Sequence, residues 1–364
     1  MTQPSDIQQQ DISFAVEGGV GIVSLNRPRA LNALTLEMIR AFDPQLAAWE
    51  TDPAVKAVLI RGEGGKAFCA GGDVRAVWKS IVEENGGKPS TLSREFFAEE
   101  YRLNRRIHHF GKPYIALLDG ITMGGGVGLS RHGAFRIVTE TSMIAMPETA
   151  IGLFPDVGGS WFLNECPGWT GYYLALTGAR LDAADAIYTE MATHFVPQAK
   201  LPDLQAALCA ADWSTGTAET VVRKIVQSFA DAAGQPKLAA NRSTIDICFQ
   251  KDSVPEILAA LETQGGAFAR EALETLAHRS PTSMCVTLEQ LRRGRGLAIE
   301  AALAMEYRIT QACMRGTDFF EGIRAVLVDK DHAPKWQPAR LQDVTQELVE
   351  GHFAAPAGGD LRFG

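Results

Sequence analysis

The chain has 364 residues, with 35 lysines and arginines against 43 aspartates and glutamates, for a formal charge of −8. Apolar residues make up 46% and charged residues 21%, a globular balance that excludes a disordered or fibrous chain. No apolar run approaches the roughly 18 residues of a membrane span, and a net negative protein does not track a phosphate backbone, so neither a membrane nor a nucleic acid is an expected partner.

The opening MTQPSDIQQQD has neither a cationic start nor an apolar segment, so no signal or transit peptide is expected. Ile12–Val16 and Gly21–Leu25 then predict a hairpin turned at Glu17-Gly18-Gly19. Thr35 can cap a helical period over Leu36–Trp49, which Pro44 should kink or split. Val55–Arg61 reads as a buried strand, Gly62–Gly72 as a loop, and residues 79–93 as an exposed connection. Ser93–Phe110 is helical in period and precedes a second buried strand, Tyr114–Asp119. A glycine cluster, a short helix and a strand pair, Phe135–Val138 and Met143–Ala145, follow.

This alternation predicts an α/β core over residues 1–200. From Leu201 the texture is helical: Leu204–Ala211, Ala218–Ala232, Val254–Leu261, Ala267–His278, Ser283–Gly294 and Ile299–Met314. A strand signal returns only at Ala325–Val328, and the tail Ala354–Gly364 should fray. The expected division is therefore a core of residues 1–200 and a helical region of residues 201–364. Six scattered cysteines form no C-x-x-C pair, which fits buried thiols in a reducing cytosol or matrix; a cytoplasmic protein is the expectation.

Two segments place glycine where a strand meets a helix: Lys66-Ala67-Phe68-Cys69-Ala70-Gly71-Gly72-Asp73-Val74 and Met123-Gly124-Gly125-Gly126-Val127-Gly128. Glycine there lets a ligand approach the backbone, and two converging N–H groups make an oxyanion hole. Each segment alone is equally a structural turn. No Gly-Lys-Ser/Thr closes a phosphate loop, and a dinucleotide fingerprint lacks its third glycine. Gly128-Leu129-Ser130-Arg131-His132 misses a nucleophile elbow because His132 stands where glycine is needed.

A third segment, Met146-Pro147-Glu148 to Phe154-Pro155-Asp156-Val157-Gly158-Gly159, sets two carboxylates on an apolar loop. Apolar surroundings raise a carboxyl pKa and suit it to acid–base work near neutrality. The same two residues could instead cap short helices near Thr149 and Gly158. Spacing alone leaves both roles open.

Taken together, these segments resemble the crotonase (enoyl-CoA hydratase/isomerase) superfamily. The order is Asn26-Arg27-Pro28 with Asn32-Ala33-Leu34, then Phe68-Cys69-Ala70-Gly71-Gly72-Asp73, the triple glycine, the Glu148–Gly159 loop, and Phe320-Glu321-Gly322-Ile323-Arg324-Ala325. The resemblance implies a spiral of ββα units with a helical C-terminal region, and an acyl-CoA substrate. It also implies that the thioester carbonyl is held by the N–H groups of Gly72 and Gly125. In the hydratases two glutamates flank the substrate; the second matches Glu148, but the position of the first is Gly128 here.

Asp156, the Glu99-Glu100-Tyr101 segment and the extra stretch 201–280 look instead like the 3-hydroxyisobutyryl-CoA hydrolase branch, which serves valine breakdown. That branch implies a substrate pocket of Glu100, Gly125, Glu148 and Asp156. Glu148 would act as nucleophile or general base, with Asp156 and Glu100 binding the 3-hydroxyl or orienting water. No metal or redox cofactor is implied, since coenzyme A is part of the substrate. The CoA moiety would run along Asn32, Ala33, Leu34 and Ala70, Gly71, Gly72, Asp73, with Lys330 or Lys335 for its phosphates. The alternatives are a hydratase or isomerase using one glutamate, and a binding protein without turnover. A homo-oligomer, trimer or lower, is the remaining expectation.

Overall fold

The computed structural model describes residues 10–363, so the first nine residues of the segment read for a leader lie outside the described residues. Ile12–Glu17 (β1) and Val20–Leu25 (β2) form the expected antiparallel hairpin, with Ile12 opposite Leu25. Ala57–Gly62 (β3) lies parallel to β2. Between β3 and the next long strand, the chain makes a short strand, Ala67–Cys69 (β4). Tyr114–Leu118 (β5) and Ile121–Met123 (β6) repeat that long–short pattern, as do Phe135–Val138 (β7) and Met143–Ala145 (β8). His194–Phe195 (β9) completes a six-stranded sheet in the order β1-β2-β3-β5-β7-β9, while β4-β6-β8 make a second sheet. Each turn of this spiral contributes one strand to each sheet, which is the crotonase arrangement.

Two expectations change here. The stretch Gly62–Gly72 is not all loop, and Phe135–Val138 and Met143–Ala145 belong to different sheets instead of pairing with each other. Three-residue strands are too short to show a period of two, so neither point was visible in the pattern.

β2, β3 and β5 are buried on both faces, which explains their unbroken apolar runs. Val58, Ile60, Ala116 and Leu118 face one core, while Ala57, Leu59, Ile115 and Leu117 face the other. Leu204, Leu208, Val222 and Val226 close that second core, on the helices Leu201–Cys209 and Ala218–Phe229. Thr35 caps Leu36–Thr51 (α1) through the Met38 N–H, and the helix runs unbroken across Pro44. Met38, Ile39, Phe42, Leu46 and Trp49 are buried on both sides of the proline, and that burial outweighs its cost of about 3 kcal/mol.

The expected connection at 79–93 is narrower, lying between Val74–Val82 (α2) and Thr91–His109 (α3). Gly125–Arg131 (α4) is the short helix after the glycine cluster. Lys237–Phe249 is a further helix that the sequence pattern did not announce. Arg324–Val328 is a π-helical turn and not a strand; Arg324 is tied to Glu321, Asp329 and Asp331, and only Ala325 of the turn is buried.

Nor does residues 354–363 of the tail fray. Asp360 takes two hydrogen bonds of 2.7 Å from Arg308, Leu361 is buried, and the Arg105 guanidinium lies 5.7 Å from the Phe363 ring.

Candidate active site

The first glycine loop is held by Leu34. Its N–H donates to Gly71 O at 2.8 Å, and its carbonyl accepts from Asp73 N–H at 2.8 Å. Bonding to both neighbours on one side turns the Gly72 N–H to the other side of the strand, toward the cleft. Gly125 opens α4, where a first-turn N–H has no helical acceptor. A Cβ built on Gly125 would stand 3.1 Å from the Gly72 nitrogen. The two backbones therefore meet, as an oxyanion hole between their N–H groups would require.

Three carboxyl groups surround this pair. Glu100 comes from α3, and its Oε1 lies 2.5 Å from the Cβ position of Gly125. Glu148 opens a 3-10 turn, Glu148–Ile151, which Gly152 closes at φ +68°. Its Oε1 lies 3.0 Å from the Cβ position of Gly124, against the wall of the hole. Asp156 accepts a 2.7 Å hydrogen bond from the Tyr101 hydroxyl. Glu100 Oε1 and Glu148 Oε2 are buried without a partner among the described residues.

Such crowding in a dry site favours the protonated forms. Burial, then the Asp156 charge, pushes Glu100 well above the usual carboxylate range. Burial, followed by Asp156, does the same for Glu148. Burial lifts Asp156 to about 6. The cleft between them has a volume of about 80 Å³, with apolar walls from Phe96, Phe97, Met123, Ile151 and Leu153. That space suits a short acyl group.

The role of helix cap does not fall to either loop carboxylate: neither Glu148 nor Asp156 caps a helix here. Glu306, from the helix Ile299–Cys313, does that work on Gly159–Phe162, accepting from the N–H groups of Gly158 and Ser160 at 2.8 Å each. Burial raises its own pKa to about 8. His132 Nε2–H donates to Val157 O at 2.8 Å, and burial keeps that ring neutral, with its pKa lowered to about 3. Gln290 reaches Pro155 O at 2.6 Å. These three clamps hold Val157 at φ +53°, a strained conformation for a β-branched residue, and so fix the direction of Asp156. Sequence reading missed all three, because each contacts the loop from a distant element.

The residues expected along the CoA path are brought together: Ala70, Gly71 and Gly72 line the cleft, and Asn32, Ala33 and Leu34 lie beside them. The Asn32 side chain is wholly buried and committed to the Arg27 N–H, Glu63 O and Ala67 O. Only backbone is left there for a ligand. Asp73 caps α2 and pairs with Arg27 at 3.2 Å. Lys330 and Lys335 are exposed and line no part of the cleft.

Gly128 sits on α4 where a Cβ would come within 2.7 Å of Val157 Cβ and 2.9 Å of Asn104 Nδ2. No side chain of any size fits there without displacing the loop that carries Asp156.

A family model described as enoyl-CoA hydratase/isomerase matches residues 20–353. The chain is 46% identical over 354 residues to the mitochondrial 3-hydroxyisobutyryl-CoA hydrolase of Gallus gallus, covering 97% of this chain and 91% of that one. It is 46% identical over 356 residues to the protein of the same name from Homo sapiens, at 97% and 91% coverage. Among solved structures, a carnitinyl-CoA dehydratase from Mycobacterium thermoresistibile superposes with a TM-score of 0.90 at 43% identity, covering 98% of this chain and 99% of that one. An enoyl-CoA hydratase from Rhodobacter sphaeroides gives a TM-score of 0.88 at 40% identity, covering 97% and 100%. These names divide between thioester cleavage and addition or removal of water.

Proposed function

The chain belongs to the enoyl-CoA hydratase/isomerase family, and within it we propose that the protein is a thioester hydrolase releasing free CoA from a short 3-hydroxyacyl-CoA, 3-hydroxyisobutyryl-CoA above all. One observation carries this reading. Glu148 lies against the Gly124–Gly125 backbone where the oxyanion hole would form, while the first glutamate of a hydratase has no room at Gly128.

In the proposed reaction the thioester oxygen lies between the two N–H groups, which stabilise the charge that develops on it. The Glu148 carboxylate attacks the carbonyl carbon, the C–S bond breaks, and the CoA sulfur leaves and takes up a proton. Water then splits the mixed anhydride, restoring Glu148 and yielding the hydroxy acid. Dividing one hard step into two favours this route over direct attack by water. Asp156 and Glu100, which line the same cleft, would hold the 3-hydroxyl or the water. A reducing compartment suits the six free thiols, four of them buried; the relatives carrying the hydrolase name are mitochondrial by that name, so the matrix is the compartment we favour over the cytoplasm.

The test is product identity. With 3-hydroxyisobutyryl-CoA the protein should release stoichiometric thiol, and with crotonyl-CoA it should leave the enoyl absorbance unchanged. Rapid hydration of crotonyl-CoA without thiol release would replace the hydrolase by the hydratase.

Two substitutions probe the neighbourhood. Gly128→Glu is expected to give no efficient hydratase and a lower melting temperature, since overpacking a tight site costs roughly 1–3 kcal/mol. Differential scanning fluorimetry and the crotonyl-CoA assay check both points. If Lys330 and Lys335 meet the CoA phosphates, replacing both by Ala should raise KM and flatten its salt dependence, because exposed charges are screened by salt. An unchanged KM at low salt would remove them from the site.

A further inference from the structure

Asp156 is the end of a chain of buried oxygens that the reaction above does not use. The Tyr101 hydroxyl is 2.7 Å from Asp156 Oδ2 and 2.8 Å from Thr310 Oγ1. Thr310 Oγ1 lies 2.7 Å from the carbonyl oxygen of Glu306. Tyr101, Thr310 and Glu306 are all at 0% exposure, so water does not intervene as a partner from bulk.

Each hydroxyl has a single hydrogen, which limits the arrangements. With Asp156 ionised, Tyr101 donates to the carboxylate and Thr310 donates to Tyr101 or to the Glu306 carbonyl. With Asp156 protonated, the acid donates to Tyr101, Tyr101 to Thr310, and Thr310 to the Glu306 carbonyl. Both arrangements leave no hydroxyl hydrogen without an acceptor. The Glu306 carbonyl is what permits the second.

We propose that Tyr101 and Thr310 form a reversible two-hydroxyl relay, positioning Asp156 and allowing it to take up and release a proton inside a dry site without orphaning a hydrogen bond. Asp156 is faced by Glu100 and Tyr101 from α3, by Glu148 from its 3-10 turn, and by Glu306 and Cys313 from the helix Ile299–Cys313. Burial discourages its charge, and the relay supplies a partner in either state. The assignment of Asp156 to substrate or water rests on the hydrolase reading; the relay itself does not.

The two relay members have opposite effects on the titration. Tyr101→Phe removes the donor that serves the ionised form, so the protonation midpoint of Asp156 rises. Thr310→Val removes the acceptor that Tyr101 needs when Asp156 is protonated, so the midpoint falls. Thr310→Ser keeps the hydroxyl and should titrate as the wild type does.

The measurement is an infrared difference titration of the ligand-free protein, with Asp156→Asn identifying the carbonyl band. Shifts of about half a pH unit or more in opposite directions are expected for Tyr101→Phe and Thr310→Val. Shifts in one common direction, or none, would overturn the relay; a general packing defect moves both variants alike. Thr310→Ala serves in place of Thr310→Val should the latter not fold. Failure of the hydrolase reading would show instead as absent thiol release, with this titration unaltered.

Discussion

Glu148→Gln is expected to abolish thiol release while acyl-CoA binding stays within about tenfold of the wild type. The amide keeps the shape of the carboxyl group in a pocket where Glu148 is 5% exposed, so the acyl group should still seat. What it lacks is an anionic oxygen to attack the thioester carbon. An effect on kcat without a comparable effect on Kd marks an interaction made only in the transition state. Retention of more than about a tenth of wild-type turnover would remove Glu148 from the chemistry.

The pH profile of the wild type gives the same assignment a second reading. Burial and the charges of Asp156 and Glu100 raise the pKa of Glu148 above its ordinary value. As nucleophile or as general base Glu148 would act in its ionised form, so on the proposed function activity should be lost as pH falls through that raised value. The acidic limb should accordingly lie above the ordinary carboxylate range of about 4.

Gly125→Ala should be the next most damaging change. Its Cβ would stand 2.5 Å from Glu100 Oε1 and 3.1 Å from the Gly72 nitrogen, inside the hole itself. Loss of one oxyanion donor typically costs about 10²–10³ in kcat, and this methyl obstructs the approach to both. A fall of at least about a hundredfold is the expected result. Gly111→Ala is the control, because nothing lies within 4 Å of its Cβ position. Near-normal kcat for Gly125→Ala would mean that the carbonyl oxygen binds elsewhere.

The parts of this site that were legible in the sequence are those built from contiguous residues. Gly72 and Gly125 lie in short glycine runs, and Glu148 and Asp156 share one loop. Glu306, His132 and Gln290 carry no local signal, because each is defined by a partner far along the chain. Glu306 meets the Gly158 N–H across 148 residues, and Gln290 meets Pro155 O across 135. Tyr101 was visible as part of Glu99-Glu100-Tyr101, but its bond to Asp156 was not.

Burial rather than sequence also decided Asn32. CoA is expected along the backbone of Asn32-Ala33-Leu34, and three internal hydrogen bonds commit the Asn32 side chain to holding that loop. The fold followed the same rule. Long strands buried on both faces announced themselves as apolar runs, whereas β4 and β6, with three residues each, gave no period to read, and β8, read as a strand, gave no sign of which sheet it joins. The tail looked free because its small polar composition conceals the contacts of Asp360, Leu361 and Phe363 with the helices beneath.

The most direct test of the covalent role given to Glu148 is a single turnover of 3-hydroxyisobutyryl-CoA in ¹⁸O-water, quenched rapidly, with mass spectrometry of the peptide containing Glu148. The anhydride route, with water attacking the Glu148 carboxyl carbon of the anhydride, predicts that this peptide carries either the trapped acyl group or one solvent oxygen. An unmodified, unlabelled peptide, with all the ¹⁸O in the released acid, would contradict it and leave Glu148 as a general base.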